Sequence, residues 1–142
     1  MSDDDIFRDD WVALVRSNIR VAQILIDNRE WGQAYHHAGT AVECALKARI
    51  MKVRGLNRWP GRSEDNAVNV HKLETLARKS DVRTCLERLE AEGTSPEIVA
   101  AWMIAKDWFN EVKYKANRFP EGLARDMVDA CIERGLIEWI LS

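Results

Sequence analysis

The chain has 142 residues, with 21 Lys+Arg against 23 Asp+Glu and a net charge of −2. That length suits one domain, residues 1–142, and leaves little room for a second core. Apolar residues at 46% and charged residues at 31% exclude an intrinsically disordered chain, and seven Gly with three Pro exclude collagen-like or Pro-rich low-complexity sequence.

The first ten residues hold five Asp against one Arg, a net −4, and residues 1–5 read as a disordered acidic tail. A secretory signal needs a positive start and an apolar run, so this beginning argues against export. A first helix is expected from about Ile6 to Asn28. Trp11, Val15, Ile19, Ala22 and Ile26 fall on one face at spacings of three and four. The second helix is expected from about Trp31 to Arg54. Ala34, Ala38, Ala41, Ala45 and Ala48 make a small-residue seam that lets a neighbour approach closely, so this helix belongs at the centre. Its polar stripe includes Glu43 and Lys47, an i,i+4 pair in the favourable order.

Gly55 is a natural helix stop, and Pro60-Gly61 is a turn signal inside a long irregular stretch ending at Asn69. Loops of that length are functional or mobile more often than short ones. Short helices follow over His71 to Lys79, and from a capping Ser80 to about Ala91. Ser95-Pro96-Glu97 opens the next long helix. Ile98, Trp102, Ala105, Phe109, Val112 and Ala116 carry its periodicity to about Asn117. Pro120 starts the last helix, running to about Leu141. The expected fold is all-α: an up-and-down four-helix bundle with a short helical insert between the second and third long helices.

No segment reaches 18 uninterrupted apolar residues, so no membrane span is expected. Cys44, Cys85 and Cys131 are odd in number and sit among apolar neighbours. They read as reduced thiols of a cytoplasmic protein. No CxxC or HxxxH spacing points to a metal, and no glycine-rich phosphate loop or nucleophile elbow occurs, so neither metal nor cofactor is expected. Adjacent His36 and His37 point about 100° apart on a helix, so one is expected to pack and the other to face water.

Charge is uneven. Lys47 to Arg62 hold Lys47, Arg49, Lys52, Arg54, Arg58 and Arg62 with no acid between Glu43 and Glu64. Lys113, Lys115 and Arg118 make a smaller cluster. These runs read either as solvated faces or as a site for an anionic partner. Trp59, between Arg58 and Pro60, reads either as a base-stacking aromatic or as a pin that fixes the loop to the bundle.

Ala34 to Ala48 (Ala-Tyr-His-His-Ala-Gly-Thr-Ala-Val-Glu-Cys-Ala-Leu-Lys-Ala) resembles the "AxxxAxQAxEkaLKA" helix of the HEPN family (higher eukaryotes and prokaryotes nucleotide-binding). His71-Lys72-Leu73 is similar to its "H-[DK]-L", and Arg118-Phe119-Pro120-Glu121 to its "RYP[DE]" with Phe for Tyr. Order and spacing agree from about Val21 to Ile140. The resemblance implies a helical bundle and a homodimer. It also implies a binding module for a nucleotide, RNA or another anionic partner, in a toxin–antitoxin or defence setting. Glu43, Lys47, His71, Tyr114 and Arg118 are then the ligand-binding candidates. Arg49, Lys52, Arg54, Arg58, Trp59, Arg62, Lys113 and Lys115 form the basic patch. The same residues also read structurally, with Glu43 pairing Lys47, and Arg118 bridging to a helix-two acid.

Some HEPN members are metal-independent ribonucleases that use a late R-x4–6-H motif completed across a dimer cleft. Here no His follows His71, and Arg29-x6-His36 has the spacing only at the start of helix two, so the chain leans away from an enzyme. A degenerate ribonuclease is one alternative. An adaptor for a protein partner such as a nucleotidyltransferase is the other.

Overall fold

The computed structural model describes residues 4–110, 113–115 and 118–142, and among them the secondary structure is helical with no strand. The disordered tail expected over residues 1–5 lies outside the described residues at 1–3; Asp4 and Asp5 are placed and have interaction partners.

Helix α1 spans Arg8–Asp27 and buries Trp11, Val15 and Ala22, the face that the spacing marks. Asp10 closes its first turn by accepting a 2.7 Å bond from the Phe7 N–H. An acid there satisfies a free amide and meets the positive end of the helix dipole. Helix α2 spans Trp31–Arg54, the bounds read from the sequence, and Gly55 ends it at φ 63°. A left-handed residue at this position suits glycine because it has no Cβ to clash. All five alanines of the seam are 0% exposed, and α2 packs against α1 and against three helices that follow it, which makes it the central element.

The segment after α2 is pinned rather than loose. Asn66–Val68 form a 3-10 turn. The Trp59 N–H donates to the Ile6 carbonyl at 2.7 Å, and its indole Nε1 donates to Asn69 Oδ1 at 3.0 Å. Asn69 Nδ2 donates in turn to the carbonyls of Pro60 and Asp65. Helices α3 (Leu73–Lys79) and α4 (Val82–Glu92) follow. The Ser80 hydroxyl accepts from the Val82 N–H at 3.2 Å, reaching the first turn of α4 from one residue before its N-cap, Asp81.

Two expected long helices are shorter. Helix α5 spans Pro96–Ala105, and the chain leaves helical geometry before Trp108. Ser95 precedes α5 at φ 47° with no side-chain cap bond, so Pro96 at the first position, not a serine cap, begins this helix. The extension of the third helix through Val112 and Ala116 lies outside the described residues. The last helix divides into α6 (Glu121–Cys131) and α7 (Leu136–Leu141), because Gly135 takes φ 81° between them.

Arg49 and Asp81 tie α2 to the start of α4 with two parallel bonds of 2.7 and 2.8 Å. Hydrogen bonding from Arg49 holds the Asp81 carboxyl below its ordinary value. A depressed carboxylate contributes stability that is present above its unfolded value and is lost as pH falls through the folded one. Asp81 is 37% exposed in this pair, so solvent screening keeps the contribution at or below about 1 kcal/mol. Asp81→Asn is therefore expected to lower stability by that amount near neutral pH and to leave it unchanged in strong acid. Urea denaturation at the two pH values reads the difference.

Candidate functional site

The structure separates the five ligand-binding candidates into two places. Glu43 and Lys47 sit inside the bundle at 7% and 6% exposure. Lys47 Nζ donates to Glu43 Oε2 at 3.1 Å, and Glu43 Oε1 lies 2.9 Å from His71 Nδ1. The Lys47 ammonium also lies over the Trp11 ring at 5.0 Å and the Trp59 ring at 5.8 Å. Those two indoles meet edge to face at 5.3 Å. A buried ammonium needs such compensation, since burying a charge without partners is costly. Lys47 is thus enclosed by one carboxylate and two aromatic faces, and Glu43 by one ammonium and one imidazole. Arg118 forms no pair with a helix-two acid among the described residues.

Trp59 is 6% exposed, so it is a pin and not an open stacking platform; this corrects its place in the basic patch. The arginines around it are also engaged. Arg58 forks onto Glu64 with two bonds of 2.8 Å. Arg54 reaches Asp65 and the Lys79 carbonyl. Arg49 holds Asp81 and the Ser142 carbonyl, which Lys52 also reaches at 3.0 Å. Of the six cations that stand together in sequence, Lys47, Arg49, Arg54 and Arg58 pair with Glu43, Asp81, Asp65 and Glu64, and Lys52 reaches a carbonyl. Arg62 lies exposed on the loop.

The second place is a cavity of about 430 Å³ between the first turns of α2 and the segment after α5. Tyr35, Phe109, Tyr114 and Phe119 form an aromatic wall, with ring centroids of neighbouring pairs 4.8 to 6.3 Å apart. The Tyr35 hydroxyl accepts from the Phe109 N–H at 3.2 Å, which fixes the start of this segment on α2. Burial pushes the Tyr35 phenol above its ordinary value, so it stays protonated. The Lys113 ammonium lies 4.7 Å from the Phe109 centroid. Tyr114 is 43% exposed at the mouth. Lys115 and Arg118 are exposed on the same segment.

His36 is exposed and His37 half-buried, as the 100° offset predicts, but both line this cavity. Their rings are 5.5 Å apart, because a wall wide enough to span two helix directions meets both. His71 lines a neighbouring cavity of about 500 Å³ that shares Phe109, Asn110 and Lys113 with the first. His71 therefore faces Glu43 on one side and this groove on the other.

Trp108 lies between the two places. Its indole packs on Gly39, where an added Cβ would stand 2.0 Å from ring atoms. Sequence reasoning placed Trp108 and Phe109 on a continuing helix. Their apolar spacing is real, but it serves an irregular segment laid across α2.

Burial raises the thiols of Cys44 and Cys131 to about 12, so both remain protonated packing groups. No helix of the described residues is long and apolar enough to cross a membrane. Comparisons of the chain with protein-family models, curated proteins and solved structures return no match.

Proposed function

We propose that the chain is a HEPN-like helical module that binds an anionic aromatic ligand, a nucleotide or single-stranded RNA, in the cavity at the start of α2. One observation carries this reading: four aromatic rings and the Lys113 ammonium converge on a space of about 430 Å³. Cavities of this size hold small ligands. Aromatic faces stack any base, and a neighbouring cation meets its phosphate. The pairing of Arg49, Arg54 and Arg58 with acids moves the site away from Lys47–Arg62. In this reading α1, α2, α5 and α6 are the members of an up-and-down four-helix bundle, and α3 with α4 forms the insert. A homodimer and a toxin–antitoxin or defence setting rest on the resemblance alone, and a cytoplasmic location on the reading of the three cysteines as reduced thiols.

The test is titration with a short oligouridylate that lacks a terminal phosphate, at low and moderate salt. Saturable binding is expected, weakening as salt rises. Tyr114→Ala is expected to weaken it roughly tenfold, the effect of losing one stacking face. No binding at low salt would remove the reading. Intact oligonucleotide recovered afterwards separates binding from the ribonuclease alternative.

A further inference from the structure

Four features of His37 set it apart among the cavity residues. Its ring is half-buried while that of His36 is exposed. His37 Nδ1 lies 2.8 Å from Asn18 Oδ1 on α1. The Asn18 amide is itself oriented, because its Nδ2 donates to the Leu14 carbonyl at 2.8 Å. Asn18 therefore presents an acceptor, so His37 Nδ1 must carry the hydrogen. That leaves Nε2 with a free lone pair as the one position where the ring can take a further proton.

From this fixed tautomer and the cavity around it, we infer that His37 is an anion-recognising residue of the cavity, becoming an imidazolium when the anionic ligand is bound. The inference rests on the proposed ligand class.

The electrostatics run in one direction. Burial first and the neighbouring His36 second keep His37 below the ordinary imidazole value, so it is neutral near pH 7. Among the described residues, the charged and titratable groups that line the cavity with it are His36 and Glu30 near the start of α2, the buried Tyr35 phenol, and Lys113 and Tyr114; α1 contributes the neutral Asn18. A bound phosphodiester adds negative charge to these surroundings and favours the protonated ring. Linkage requires the converse: protonating His37 tightens anion binding. Lys113 supplies a fixed charge, and His37 supplies one that depends on pH. The proton goes to Nε2 while the bond from Nδ1 to Asn18 remains.

The experiment is calorimetric titration of the full chain with the same oligouridylate, whose diesters stay ionised throughout, at a series of pH values from weakly acid to weakly alkaline. Each pH is run in two buffers of different ionisation enthalpy, which gives the number of protons taken up on binding. Expected results are uptake approaching one proton per complex and affinity rising by up to about tenfold per pH unit on acidification. His37→Asn, whose amide nitrogen takes the place of Nδ1 and keeps a donor for Asn18, is expected to abolish the uptake and flatten the profile. Saturable binding without proton uptake overturns the inference and leaves the cavity reading in place. Uptake that survives His37→Asn assigns the proton to another group and also overturns it. Absence of binding at every pH removes the cavity reading and this inference with it.

Discussion

Gly39→Ala is expected to destabilise the fold by about 3 kcal/mol, at the upper end of the range for overpacking a filled core. A single methyl at this position would overlap the Trp108 indole, with 2.0 Å to both Cε2 and Nε1. These atoms belong to a rigid ring that is 8% exposed, so no flexible chain end can swing aside. Either α2 shifts or Trp108 leaves its seat. The second course also displaces Phe109, the next residue, and with it the aromatic wall of the cavity. Chemical denaturation measures the first effect, and oligonucleotide affinity measures the second. A variant within about 0.5 kcal/mol of wild type would show that Trp108 has another place to go.

The second large effect is expected at Glu43. Glu43→Ala leaves the ammonium of Lys47, a residue 6% exposed in the intact fold, with only indole faces for company. Removing one partner of a buried ion pair costs about 3 kcal/mol or more. Lys47→Met is expected to cost less, because Glu43 keeps its 2.9 Å contact with His71, which reaches solvent. Replacing both by Met is expected to come within about 1 kcal/mol of wild type, since a well-packed apolar pair needs no compensation. The order of these three variants in urea denaturation is the measurement. Equal losses for the two single variants would show that His71 lends Glu43 no support.

Much of the architecture was legible in the sequence, and the reasons differ by element. Helix α2 was readable to the residue because two local signals coincide: an alanine seam at helical spacing and a glycine that stops the helix at φ 63°. The end of α5 was not readable. Apolar residues at three- and four-residue spacing continue past Ala105, and periodicity reports burial rather than hydrogen bonding. Trp108 and Phe109 are placed by Gly39 and Tyr35, which lie some 70 residues earlier in the chain. The break at Gly135 carried a readable glycine signal, which the apolar face from Leu123 to Leu141 obscured.

The candidate site was half legible for a related reason. Glu43, Lys47 and His71 do meet, but Glu43 and Lys47 are buried under Trp11 and Trp59, and only His71 reaches solvent. Counting charge along the chain found the basic run and missed Asp81, which lies 32 residues from Arg49. The cavity escaped notice because its aromatic residues come from the start of α2 and from a stretch that reads as helix.

The ion pairing of the basic segment also bears on solvent ions. A surface whose arginines already hold carboxylates keeps little of the counterion atmosphere that a bare cationic patch gathers. A nucleic acid approaching it would displace few anions from the protein, and long-range attraction would do little to guide it. On the proposed reading, encounter would then be governed by the cavity mouth beside Tyr114, which favours unpaired, flexible strands over a stiff duplex.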